Sequence, residues 1–145
     1  MNKVPDRLYI DENDRKLYDE VIEEIFRGKI GDEEKRWERK DQFLLAMAIG
    51  FKNEVRRPLK KKEGFIRKEY LKPEDKALIN AIAIYDTGSI EVLLDKQKVF
   101  SIAEEYAHAG IRILHGEIKS GEPGSYLKKL EKDLFEKYKG LKNRL

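Results

Sequence analysis

The chain has 145 residues, 41% charged and 40% apolar, and its 31 basic and 28 acidic side chains leave a net charge of +3. That length allows one hydrophobic core, and the near-cancellation of charge argues against disorder, which needs low hydrophobicity together with a large net charge. With no cysteine present, disulfides, thiolate metal sites and a cysteine nucleophile are excluded.

Residues 1–13 read as an arm, in which Leu8, Tyr9 and Ile10 suit a short extended piece between Pro5 and the acids from Asp11. Asn13 or Asp14 then offers a side-chain oxygen to the free amides of a helix start. Leu17, Val21 and Ile25, with Tyr18, Ile22 and Phe26, recur every four residues as a broad apolar stripe. Gly28 and Gly31 end that helix. The stretch 32–40, "DEEKRWERK", reads as an exposed turn or two that Asp32 can cap. Trp37 reads as a core anchor, with base stacking or partner binding as the alternative.

From Phe43 to Phe51 there is no charge, so residues 41–53 predict a helix apolar on nearly every side, the buried central helix of the domain. Ala46, Ala48 and Gly50 keep part of it thin enough for a neighbouring helix to approach closely. Pro58 stops its continuation. "EGFIRKEYL", 63–71, alternates like a strand, and its partner is Arg7–Ile10, giving a small ribbon of residues 7–10 and 64–70.

In "KPEDKALINAIAIYDTGS", Pro73 suits a first helical turn, Glu74 and Asp75 complement the helix dipole, and Gly88 is a C-terminal stop. Ser89 can cap a segment in which Ile90, Val92, Leu93 and Leu94 fit a short helix or a strand, with helix favoured. From Asp95 a longer helix runs through Val99, Ile102, Ala103, Tyr106 and Ala107, and Gly110 kinks or ends it. "KSGEPGS", 119–125, is a loop. A last amphipathic helix carries Tyr126, Leu127, Leu130, Leu134 and Tyr138, and the basic tail 140–145 frays. The expected fold is therefore mainly α: a single compact domain over 14–139, of five or six helices, with the two-stranded ribbon.

Catalytic signatures are weak. His108 and His115, with Glu104 and Glu105, are the candidates for a helical metal site. Di-metal bundles need two Glu-x-x-His pairs and two more glutamates, however, and only one such pair occurs. The His-Glu-x-x-His arrangement is absent. "SGEPGS" lacks the spacing of a phosphate-binding loop, and Ser89, Ser101, Ser120 and Ser125 lack a nucleophile context. No cofactor and no metal are expected.

Charge distribution says more. Residues 1–34 carry a balance of −5, residues 52–72 one of +6 with nine basic against three acidic side chains, and residues 128–145 one of +4. A concentrated basic segment gains affinity for a phosphate backbone by releasing condensed counterions. The candidate nucleic-acid contacts are Arg56, Arg57, Lys60, Lys61, Lys62, Arg67 and Lys68, with Phe65 and Tyr70 as stacking faces. The competing expectation is a solvated basic loop, or one paired with the acids of residues 11–34. Two glutamines among abundant lysine and glutamate also suit a thermophile protein, in which surface ion pairs gain value with temperature.

"KDQFLLAMAIGFKN" followed by "RRPL", "ALINAIAIYDTGSIEVLLD" and "SIAEEYAHAGIRIL" cover most of residues 40–114. Together they resemble a small family accessory to the Dnd systems of DNA phosphorothioation, the fourth of the proteins associated with them. The resemblance implies a partner among DNA or the DNA-modification and restriction proteins, and it carries over no catalytic residue. The expectation is thus a non-enzymatic accessory protein contacting DNA, or a DNA-bound complex, through residues 52–72. A protein-interaction or homo-oligomerisation module is the alternative, and a helical metal enzyme the third reading. Early acids and no apolar leader in "MNKVPDRLYIDEND" point to a cytoplasmic protein with no membrane partner.

Overall fold

The computed structural model describes residues 6–25 and 38–121, together with Lys129, Lys132, Asp133, Phe135, Glu136 and residues 138–140. Strand β1 (Arg7–Asp11) leads through a 3₁₀ turn, Glu12–Asp14, into α1 (Arg15–Ile25). Next come α2 (Arg39–Lys52), β2 (Lys62–Arg67), a second 3₁₀ turn at Lys68–Tyr70, α3 (Pro73–Thr87), a third at Ile90–Leu94, and α4 (Lys96–Ser120). The described residues between 129 and 140 are helical too. The fold is mainly α with one antiparallel two-stranded ribbon, as the periodicity implied. No helix among the described residues is long and apolar enough to cross a membrane. The expectations for residues 1–5, Phe26, Gly28, Gly31, residues 32–37 with Trp37, residues 122–128, Leu130, Leu134 and the tail after Gly140 lie outside the described residues.

Residues 7–11 form a strand with Leu8 and Ile10 buried, so this part of the expected arm belongs to the core. β2 begins two residues before the expected 64, and residues 68–70 turn away from the ribbon. Leu8 pairs with Ile66 while Tyr9 pairs with Gly64, so Phe65 is the extra residue of a β-bulge. A regular strand alternates its side chains between faces; the bulge lets Phe65 and Ile66 both turn inward. Phe65 then packs on Tyr18, ring centroids 4.8 Å apart.

The cap of the first helical stretch is Asp11, which accepts from the Asn13 amide at 3.0 Å, and not Asn13 or Asp14. Asp14 is wholly buried and serves another purpose. α3 follows its sequence signals: Pro73 lies in the first turn, Asp75 accepts from the Lys72 amide at 2.8 Å, and Gly88 takes a left-handed φ of 73°. Ser89 caps the turn Ile90–Leu94, and Asp95 caps α4 by accepting from the Lys98 amide at 3.1 Å.

Two expectations about the core are corrected. Gly110 does not end α4, which runs on to Ser120. A Cβ on Gly110 would come within 1.7 Å of the Ala46 carbonyl oxygen, and one on Gly50 within 2.0 Å of the Tyr106 carbonyl oxygen. The two glycines therefore let α2 and α4 cross backbone to backbone, the close approach that the small residues of α2 foretold. The most enclosed helix is α4, not α2: between Ile102 and Ile111 every residue but Glu105 is buried. Its polar residues Glu104 and His108 disguise that position in the sequence. Around α4 gather Phe43 and Met47 of α2, Tyr18 and Val21 of α1, Ile79 and Ile82 of α3, and the inner face of the ribbon.

Candidate nucleic-acid interface

The basic segment starts from a defined helix end. The Val55 amide donates to the Gly50 carbonyl and the Glu54 amide to the Phe51 carbonyl, both at 3.0 Å. Glu54 sits between them with a left-handed φ of 56°. This is a Schellman motif with glutamate where glycine is usual. α2 thus stops at Lys52, ahead of Pro58, because the backbone reverses hand at Glu54 and satisfies its own last carbonyls; the expected proline stop is not what ends it.

From Val55 to Lys61 the chain runs without regular structure but is held by its main chain. The Arg57 amide donates to the Glu105 carbonyl of α4 at 3.1 Å. Asp11, 1% exposed, accepts from the amides of Lys60 and Lys61 at 2.8 and 3.4 Å. The Glu12 amide donates to the Lys61 carbonyl at 2.9 Å. Burial pushes the Asp11 carboxyl up, but its three amide donors outweigh that and hold it below the ordinary carboxylate value. A buried carboxylate therefore clamps the loop from beneath through the loop's main chain.

The side chains of the basic segment divide into two sorts. Arg56 is engaged: its Nη1 lies 3.3 Å from Asp86 and its Nε 3.8 Å from Glu105. Asp86 also accepts from the Tyr106 hydroxyl at 2.5 Å. Burial, with that bond to Asp86, pushes the Tyr106 phenol up to about 12. Lys61 lies 3.5 Å from Glu12 yet stays 75% exposed, and Lys62 stands 5.9 Å over the Tyr9 ring. Arg67, 60% exposed, is 3.6 Å from Glu69. Arg57, Lys60 and Lys68 have no ion-pair partner among the described residues. Of the seven candidate cations, Lys61 alone pairs with an acid of the 11–34 stretch among the described residues, so the basic segment is mostly not spent there. The fold gathers Arg56 to Lys62 over α4 and one end of the ribbon. Arg67 and Lys68 stand at the other end, about 16 Å along β2 at roughly 3.3 Å per residue.

The four metal candidates are pulled apart. Glu104, 4% exposed, accepts from the Tyr9 amide of β1 at 2.7 Å. Burial pushes its carboxyl up to about 7, the Tyr9 amide drawing it back in part. His108 Nδ1 bonds Asp14, which also meets Arg112 Nη2 at 3.3 Å. His115 Nε2 bonds Glu20 of α1, and Glu105 turns the other way, toward Arg56. Burial raises the Asp14 carboxyl despite the opposing pull of His108 and Arg112. Among the described residues no three histidines or carboxylates are grouped to hold a metal. Glu104, His108, Arg112, His115 and Lys119 instead make a seam, one turn apart, that fastens α4 to β1, the Glu12–Asp14 turn and α1. The sequence reading missed Asp14 and Glu20 as the seam's anchors, Asp11 as the clamp of the loop and Asp86 as the partner of Arg56. A polar stripe at helical spacing was the available signal, but such a stripe ordinarily marks a solvent face.

Residues 35–140 match the family model of DNA sulphur modification system-associated protein 4. The chain belongs to that family. No curated protein and no solved structure matches it.

Proposed function

We propose that this member of the DNA sulphur modification system-associated protein 4 family is a non-enzymatic, cytoplasmic accessory protein that contacts DNA, or a protein complex bound to DNA, through residues 52–72. The observation that carries this reading is the division of labour in the loop. Its main chain is fixed on α4 and on Asp11, while Arg57, Lys60 and Lys61 keep exposed heads. A cation on a backbone that is already fixed meets a phosphate without the cost of ordering the main chain, and each contact releases counterions. Arg57 offers a planar fork and the lysines act as point charges. Arg56 lends its charge but is tied by Asp86 and Glu105, so its part is chiefly to position the loop. Lys62, Arg67 and Lys68 extend the contact along the ribbon.

The test is fluorescence anisotropy with a labelled duplex at low salt, comparing the wild type with an Arg57→Gln/Lys60→Gln/Lys61→Gln variant. Because the loop is anchored by amides that glutamine retains, the variant should unfold in urea like the wild type while binding DNA more weakly. Absence of wild-type binding at low salt overturns the DNA reading. A protein partner is favoured by a separate feature, the exposure of Leu78 and Tyr85, two turns apart on α3, and of Ile90 and Leu94 after it. Concentration-dependent self-association in light scattering, with no DNA affinity, would select that reading.

A further inference from the structure

The outer end of the ribbon holds cations that the basic loop does not include. Arg7 and Arg67 are direct cross-strand partners, a placement in which like charges repel. Among the described residues Glu69 is the one carboxylate paired with either. Arg7 lies across Gly64, where a Cβ would come within 3.1 Å of its Cδ and Nη1. Arg39, at the start of α2, brings a third guanidinium, 5.4 Å from the centroid of the bulged Phe65 ring. These groups line a pocket of about 410 Å³ with Phe65 and Ile66 in its wall. Lys40 also lines it but is committed to Asp75 at 3.0 Å. Glu38 is the acid of the lining, and Tyr70, 63% exposed, contributes an aromatic face.

We infer that this pocket takes an unpaired nucleotide, its phosphate on Arg7, Arg39 and Arg67 and its base against Tyr70. Guanidiniums match phosphate oxygens with paired donors. An anion among them relieves the repulsion built into the Arg7–Arg67 pair. An exposed tyrosine stacks any base whose face is free, which a base inside a duplex does not offer. The volume falls in the range of pockets for small ligands. This inference deepens the nucleic-acid reading above; it shares Arg67 and Tyr70 with it but adds Arg7 and Arg39 and does not use Arg57, Lys60 or Lys61, so it can fail separately.

Calorimetric titration with deoxyadenosine monophosphate, deoxyadenosine and inorganic phosphate at low salt tests it. The nucleotide should bind more tightly than either fragment. An Arg7→Gln/Arg39→Gln/Arg67→Gln variant should weaken it by about tenfold or more. Tyr70→Ala should weaken the nucleotide several-fold and leave phosphate unchanged. All four side chains are exposed, and matching urea midpoints would show that the variants fold. No nucleotide binding, binding unchanged in the triple arginine variant, or phosphate bound as well as nucleotide with no effect of Tyr70→Ala would each overturn the proposal. The Arg57→Gln/Lys60→Gln/Lys61→Gln variant separates the two readings. If the wild type binds nucleotide but no duplex, the loop reading alone falls; if it binds duplex through the loop but no nucleotide, the pocket alone falls.

Discussion

Replacing Glu104 by glutamine removes a buried charge from the seam on α4 while keeping its shape and its acceptor for the Tyr9 amide. In the folded protein burial lifts the Glu104 carboxyl to about 7, against an ordinary value of 4.5 in the unfolded chain. Between those two pH values the folded state holds a proton that the unfolded chain has already lost. Stability contributed at this site therefore falls as pH rises from 4.5 to about 7 and is level beyond. A shift of this size corresponds to about 3 kcal/mol at 1.36 kcal/mol per pH unit. Asp14, also raised by burial, acts in the same direction, so the difference between variant and wild type is the quantity to follow. Urea unfolding should find the two alike near pH 4.5. At about pH 8 the Glu104→Gln variant should be the more stable by up to about 3 kcal/mol. A variant no more stable than wild type above neutrality, or a difference that does not change with pH, would refute this account of Glu104.

Gly110→Ala sets helix propensity against packing: propensity alone favours alanine by about 1 kcal/mol, but the added carbon meets the Ala46 carbonyl. The variant should lose about 3 kcal/mol or more in urea unfolding, and any gain in stability would disprove the backbone-to-backbone crossing. Tyr18→Phe should be neutral or stabilising by about 1 kcal/mol, because the buried Tyr18 hydroxyl has no hydrogen-bond partner among the described residues; a clear loss in thermal unfolding would mean that the hydroxyl is bonded. Glu54→Gly should raise the unfolding free energy by about 1 kcal/mol by relieving a left-handed non-glycine residue, and a lower value would contradict the helix end described.

Much of the fold is legible in the chain because its signals are local. Pro73, Asp75 and Gly88 bracket α3 within one stretch, and the uncharged run from Phe43 to Phe51 marks α2. What could not be read depends on partners far away. Gly110 looks like a helix breaker until Gly50 is placed opposite it. Glu104 and His108 look too polar for an interior, since the Tyr9 amide and the Asp14 carboxylate that satisfy them lie 95 and 94 residues earlier. The bulge at Phe65 breaks the alternation that marked β2, and the strand ends at Arg67 because residues 68–70 leave it for a 3₁₀ turn. The basic segment itself was plain from the sequence. Which of its cations are tied was not, because Asp86 reaches Arg56 only through the packing of α3 beside α4. Arg7 and Arg39 join Arg67 for the same reason, through a strand pairing and a helix start that no single stretch contains.

The most direct test of the DNA contact is the salt dependence of duplex binding. Each phosphate neutralised contributes about 0.9 to the slope of log affinity against log salt. The Arg57→Gln/Lys60→Gln/Lys61→Gln variant should therefore show a slope shallower than wild type by between about 2 and 3. Equal slopes for the two proteins, or wild-type binding that does not respond to salt, would contradict the role given to the anchored basic loop.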